Sequence, residues 1–259
     1  MRVVAVTAHP DDEVIWFGGL LTLLARLGCS VHVVCLWGAL ERPGSMSAVA
    51  PGRQDIDRKD EFFVSVGVLG LSQSGIIIDS CFPVDQSKPQ SDDVLRFHLE
   101  EVIGSLGFDL RSIDMFVTHS PYGDERAHPH HIRVHEFVSG LVNRLGGQGL
   151  VYPSIVPFFG VVHSPVSRGI RRLDHFHLVG RYDCVAPAGA VSMHQLVYDT
   201  GFKRLALDSY VTVDMQKHMN DYAMFTCPVE CLYANRRATD SLDRLTLGMS
   251  QPNVVKNLV

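Results

Sequence analysis

Apolar side chains fall along this chain in two alternating rhythms. Residues 2–7 are a short run dominated by valine, after which a polar loop leads into Val14, Ile15, Gly18, Leu20, Leu21, Leu24 and Leu27 at helical spacing, stopped by Gly28. Val31 to Leu36 is a second β-branched run. This order predicts strand, loop, one helix and strand, hence a βαβ unit with parallel strands and a right-handed crossover. Its natural extension is an α/β fold: a Rossmann-like, mostly parallel sheet with helices on both faces.

The alternation continues. The spacing predicts a helix from about Asp57 to Val68, a strand near Gly75 to Ile78, a helix ending at Leu106 and a strand over Ile113 to Thr118. A further helix is expected from Pro129, with an apolar face of Ile132, Phe137, Val138, Leu141, Val142 and Leu145. Beyond Gly149 the pattern becomes β-rich, with strands expected over Val151 to Val156, Phe159 to His163 and Leu173 to Val179, and a late helix over Val213 to Met224. No linker-like stretch or internal repeat divides the chain, so residues 1–259 are expected to form a single domain. Pro43, Gly44, Pro51 and Gly52 mark Glu41 to Asp57 as a candidate substrate loop after the second strand.

Composition narrows the function. A hydrophobic fraction of 46% in 259 residues supplies a large core. With 23 basic against 28 acidic residues and no basic run, no nucleic-acid or anionic-membrane surface is expected. No apolar stretch approaches the ~20 residues of a membrane span, and residues 1–8 are too short for a signal region. The expectation is a cytoplasmic protein acting on a small polar molecule; a homo-oligomer is permitted but not specified. Cys29, Cys35, Cys81, Cys184, Cys227 and Cys231 contain no CxxC pair and are read as buried free thiols.

Two polar concentrations interrupt the apolar pattern. Ala8-His9-Pro10-Asp11-Asp12-Glu13 lies where the first strand ends, at the crevice where such sheets bind ligands. Three consecutive carboxylates repel one another unless a cation or hydrogen bonds offset them. A divalent metal accounts for them; a helix cap at Asp11 or Asp12, with Glu13 in the first turn, accounts for them equally. The second concentration runs from Thr118 to His135, after another predicted parallel strand, and holds five histidines in seventeen residues. Core packing explains such a cluster poorly, because each buried imidazole needs partners for both nitrogens. His119 and His135 individually read as structural hydrogen-bonding residues. One histidine and one aspartate from the first loop with one histidine from the second make a three-ligand metal site with a position left for water.

These residues resemble a known family. Ala-His-Pro-Asp-Asp-Glu after the first strand, followed about 115 residues later by His-Pro-x-His-x-x-Val-His, is similar to the LmbE/PIG-L family of zinc-dependent N-deacetylases. Arg58-x-x-Glu61 before a helix ending in Leu69-Gly70 also matches, as do Asp214 and Lys217 more weakly. The resemblance implies that His9, Asp12 and His131 bind Zn2+, or another divalent ion such as Fe2+, that Asp11 is the general base, and that His128 polarises the substrate carbonyl. Arg58 is implied to contact the substrate, an N-acetylated amino sugar. The implied reaction is hydrolysis of the N-acetyl amide, in which the metal lowers the pKa of its water and acts as Lewis acid.

One position departs from the family. The usual His-Pro-Asp-His reads His128-Pro129-His130-His131 here, which removes the carboxylate that charges the first histidine unless Asp124 or Glu125 substitutes, and adds an imidazole able to supplement or compete for the metal. A non-catalytic metal- or sugar-binding protein on the same fold is therefore a second reading. An amidase acting on another acyl group or a thiol-conjugate amide is a third. A dinucleotide site is disfavoured, because carboxylates stand where glycines would cradle a pyrophosphate. Trp37 serves equally as a sugar-stacking wall or as core, and Asp79 and Asp85 as sugar contacts or turn residues.

Overall fold

The computed structural model describes residues 1–37, 58–71, 73–76, 91–123, 128–146, 148–153, 192–197, 201–211, 229–246 and 254–258. Along β1 (Arg2–Thr7) successive side chains leave on opposite faces, and each face meets its own core. Val3 and Ala5 join Val31, Val33, Met115 and Val117 on one side, whereas Val4 and Val6 join Val34 and Phe116 on the other. A strand buried on both faces has to be apolar throughout, which is why β1, β2 (Ser30–Cys35) and β4 (Met115–Val117) show no polar alternation.

The first face is covered by α1 (Asp12–Ile15), α2 (Gly18–Arg26), α3 (Arg58–Val68), α6 (Gly201–Asp208) and α7 (Arg236–Thr246), and the second by α4 (Asp92–Ser105) and α5 (Pro129–Leu145). With β3 (Gln73–Ile76) and β5 (Gly149–Pro153) the parallel part of the sheet runs β3-β2-β1-β4-β5. It is extended by β7 (Val229–Ala234), β6 (Ser192–Val197) and β8 (Val254–Leu258), all antiparallel. The expected Rossmann-like α/β sheet with a β-rich later portion is thus what forms. Crossovers leave β1 and β4 in opposite senses, so the loops following these two neighbours flank the switch point of the sheet.

The helix expected over Val14 to Leu27 is in fact two. The chain breaks at Trp16 and Phe17, and the break is held from a distance. The Glu230 carboxylate accepts the backbone N–H groups of Gly19 (2.8 Å) and Leu20 (2.9 Å) at the start of α2. Lys203 Nζ donates to Ile15 O at the end of α1 (2.8 Å) and to Glu230 Oε1 (2.9 Å). An anion at a helix start and a cation at a helix end each oppose the local dipole, so one buried pair stabilises both termini. Trp16 and Phe17 are themselves apolar and buried, which lets the hydrophobic pattern run through the break unmarked.

The strand expected at Gly75 to Ile78 lies two residues earlier, at Gln73–Ile76. α6 and α7 were not anticipated; the buried residues of α7 are Ala238, Thr239, Ser241 and Leu242, with Leu245 packed beside them, so its inner face is half hydroxyl-bearing. The substrate loop, the strands over 159–163 and 173–179, the helix over 213–224, and Asp79, Asp85, Asp124, Glu125, Asp214 and Lys217 lie outside the described residues. Cys29 and Cys35 are buried free thiols. Among the described residues no helix is long and apolar enough to cross a membrane.

Lys203→Met leaves Glu230 buried without its cation and should lower the unfolding free energy by about 3–5 kcal/mol, read from urea denaturation. Adding Glu230→Leu should not restore it, because Gly19 and Leu20 then lose their acceptor; full recovery in the double variant would show that the junction does not depend on the pair.

Candidate metal centre and active site

Asp12 is the centre of the site. It is 3% exposed, a burial that a carboxylate tolerates only with compensating partners. The His9 N–H donates to Asp12 Oδ2 at 2.7 Å. His9 Nδ1 lies 3.5 Å from Asp12 Oδ2, and His131 Nε2, one turn into α5, lies 3.3 Å from Asp12 Oδ1. Burial alone would raise the Asp12 carboxyl, yet the His131 imidazole holds it well below the ordinary carboxylate range.

His119 adds a test of what the site can hold. It is fully buried, stacks on His131 with ring centroids 4.1 Å apart, and accepts the Ala8 N–H on Nε2 at 3.0 Å. Burial first, then His131, pushes it down to about 4, so it is neutral near pH 7 with its proton on Nδ1. Its Nε2 lone pair then faces Asp12 Oδ2 at 3.2 Å. Two electron-rich atoms so placed cost free energy unless a cation stands nearby. The ligand atoms of His9, Asp12 and His131 all lie within 4.8 Å of one another. The 3.3 Å from His131 Nε2 to Asp12 Oδ1 matches the roughly 3.3 Å edge of a tetrahedron with ~2.0–2.1 Å bonds, and His9 Nδ1 stands 3.5 Å from the other oxygen of the same carboxylate. The donor set fits a divalent ion.

Asp11 stands beside this set in a strained backbone, with φ 105° where L residues are disfavoured. Four contacts hold it there. Its N–H donates to Glu13 Oε2 (3.0 Å), its carbonyl accepts from Val14 (3.0 Å) and Ile15 (2.9 Å), and its Oδ2 accepts from Arg58 Nη2 (2.7 Å). Arg58 also donates to Pro10 O at 2.7 Å, bracing the whole turn. Burial pushes the Asp11 carboxyl up to about 6 against the pull of Arg58. A half-buried carboxylate poised there suits proton transfer near neutrality.

Glu13 is a third and different carboxylate. It is fully buried and accepts from Ser65 Oγ (2.6 Å) and Tyr210 Oη (2.5 Å) besides Asp11 N–H. Burial pushes it up to about 7, with the Ser65 and Tyr210 hydrogen bonds working against that rise.

The remaining histidines divide. His128 is the N-cap of α5, Pro129 occupies the first turn, and His128 Nδ1 accepts the His130 N–H at 3.3 Å. Gly123, at φ +78°, passes so close that a Cβ there would lie 2.9 Å from His128 N, so the loop after β4 needs a glycine at this point. His130 is buried, stacks on Trp37 at 4.8 Å, and its Nδ1 meets His9 Nε2 at 2.9 Å. Trp37 is thereby buried against an imidazole. His135 bonds His119 O at 2.7 Å and packs edge-on to Tyr152, a structural role.

The sequence-predicted ligands, base and substrate contacts His9, Asp11, Asp12, Arg58, His128 and His131 therefore gather here. Sequence reasoning missed the part His119 plays, together with Ser65, Tyr210, Lys203 and Glu230. Only His119 carried a signal, as one of the clustered histidines.

Fold and donor set together define a Rossmann-like α/β protein with a His/Asp group able to hold a cation at the switch point of its sheet. The family model described as PIG-L, GlcNAc-PI de-N-acetylase, matches residues 4–142, and the chain belongs to that family. It is 32% identical over 164 residues to a 1D-myo-inositol 2-acetamido-2-deoxy-alpha-D-glucopyranoside deacetylase of Corynebacterium efficiens, covering 57% of this chain and 51% of that protein. It is 33% identical over 105 residues to the N-acetylglucosaminyl-phosphatidylinositol de-N-acetylase of Bos taurus, covering 38% of each. The chain thus spans about half the length, or less, of these two relatives. In fold it is similar to a deacetylase of the teicoplanin biosynthetic pathway (TM-score 0.56, 15% identity, 99% of each chain) and to the A40926 pseudoaglycone deacetylase (TM-score 0.55, 16% identity, 92% of this chain and 98% of that one).

Glu13→Gln tests the buried carboxylate. Because the folded-state pKa of Glu13 is raised to about 7, its contribution to stability is present below about 4.5 and lost as pH rises through about 7. The wild type should therefore lose stability relative to the variant between about pH 5 and pH 7.5 in urea titrations; a difference independent of pH would contradict the raised pKa.

Proposed function

We propose that this chain is a metal-dependent N-deacetylase that hydrolyses the acetamide of an amino-sugar-containing small molecule or glycoconjugate. The observation that carries the reading is the division between adjacent carboxylates: Asp12 buried among imidazoles as an anion, Asp11 beside it as a poised base. His9, Asp12 and His131 are the proposed ligands of a divalent ion, Zn2+ or Fe2+. Bound there, the ion supplies Lewis acidity and lowers the pKa of water.

Asp11 takes the proton from the attacking water and returns it to the departing amine. Arg58 holds Asp11 toward that task, and its proposed contact with the sugar would couple substrate arrival to the position of the base. His128 is the proposed partner of the substrate carbonyl. Glu13 fixes the strained backbone of Asp11, and through Tyr210 it ties the base to the chain beyond α6. That tie and the Lys203–Glu230 junction support treating residues 1–259 as one domain. The amino-sugar substrate class rests on the two curated relatives, both named for N-acetylglucosaminyl substrates.

A second reading, a binding protein without turnover, is favoured by one observation: the ring neighbours of His128 include His9, His130 and His131, and the family's carboxylate at position 130 is missing. His130→Asp separates the readings. A large gain of activity over an inert parent supports the binding protein, whereas a parent that turns over substrate supports the enzyme.

The direct test is acetate release from N-acetylglucosaminides, including an inositol-linked one, with metal measured on the same samples. His9→Ala and His131→Ala should lose both metal and activity. Asp11→Asn should keep the metal and lose activity by about 10²–10⁴-fold. Metal-loaded wild type that releases no acetate from the whole panel would overturn the enzyme reading.

A further inference from the structure

His9 presents its two ring nitrogens to two different sets of donors. Nδ1 faces Asp12, 3.5 Å away, on the side of His131. Nε2 faces the other way, 2.9 Å from His130 Nδ1. Beyond that contact stands His128, with ring centroids 4.9 Å from His9 and 5.2 Å from His130. Ligand atoms of His9, His128 and His130 all lie within 4.8 Å of one another. His130 is buried and its ring is held by stacking on Trp37 at 17° to the indole plane, so it is fixed in place before any ion arrives. His128 is fixed as well, as the cap of α5.

We propose that His9, His128 and His130 form a second cation site, composed only of imidazoles, that shares His9 with the Asp12 set and takes a late divalent transition ion such as Zn2+, Ni2+ or Cu2+.

The two sets differ in chemistry. The first includes a carboxylate and is open to harder ions; the second is three imidazole nitrogens, which favour Cu2+, Ni2+ and Zn2+ over Mg2+ or Ca2+. They also use opposite nitrogens, so the second ion adds to the first and does not displace it. With an ion on Nδ1, the one proton of His9 resides on Nε2 and occupies the 2.9 Å contact to His130. The second ion takes the place of that proton: the Nε2–H bond breaks, an Nε2–metal bond forms, and the proton leaves to solvent. Mutual repulsion of two dications across one ring makes the second site the weaker. The site rests on His130, the residue at which this chain departs from its family, and it does not depend on deacetylase activity.

The test is titration of metal-free full-length chain with Zn2+ by calorimetry and equilibrium dialysis, and with Cu2+ by electron paramagnetic resonance, which reports the number of coordinating nitrogens. Wild type should bind two Zn2+ per chain, the second at least about tenfold more weakly. His130→Phe, which keeps a ring against Trp37, should lose the weaker step and retain the first. Asp12→Asn should weaken the first step and leave a Cu2+ signal with three nitrogens, absent from the Asp12→Asn/His130→Phe double variant. His128→Asn, which keeps a capping side chain, gives the same reading should His130→Phe fail to fold. A single binding step in wild type, or two steps unchanged in both His130→Phe and His128→Asn, would overturn the proposal. Because none of these readouts involves turnover, failure of the second site and failure of the deacetylase reading are separately visible.

Discussion

The junction between α1 and α2 constrains everything around the site. Asp12 and Glu13 sit in a helix of four residues, too short to hold its own geometry, since a helix turn is stable only when its ends are satisfied and its face is packed. Lys203 and Glu230 supply those ends from elements about 200 residues away, each side chain only 2% exposed. Removed from water, their charges act on the two helix termini with little screening. The position of Asp12 is therefore inherited from the antiparallel end of the sheet as much as from β1.

Within that frame three consecutive carboxylates have three environments, and environment alone separates them. Asp12 is ringed by imidazoles and remains ionised. Asp11 is half-buried and held by a guanidinium, which leaves it near the middle of the useful range. Glu13 meets a serine and a tyrosine, neutral donors that satisfy its oxygens without balancing its charge. The strain at Asp11 follows from this division: a left-handed residue turns one carboxylate toward Arg58 while its neighbour points to His9 and His131. Helical or extended backbone at position 11 would turn that side chain another way.

What was legible in the sequence and what was not divides along a physical line. Strands buried on both faces announce themselves as apolar runs, and α3, α4 and α5 by the spacing of their buried faces, so the parallel half was readable to within two residues at β3. The proposed ligands His9, Asp12 and His131 were readable because the two motifs that carry them resemble those of the family. The break at Trp16 and Phe17 was not, because its cause is an interaction with Glu230, which carries no local signature. Tyr210 and Ser65 were invisible for the same reason. The orientation of His119, which turns it from a packing residue into a neighbour of Asp12, depends on a single hydrogen bond from Ala8.

The match to the family model ends at residue 142, yet Lys203, Tyr210 and Glu230 lie beyond it and grip the loop that carries the Ala-His-Pro-Asp-Asp-Glu motif. The later segment is thus not free baggage that recombination could exchange at will. Any replacement has to deliver an ammonium, a carboxylate and a phenol to the same three points. Change in this chain's later segment is in this way confined to surfaces away from that three-point grip, and a pocket for a different substrate would have to be shaped there.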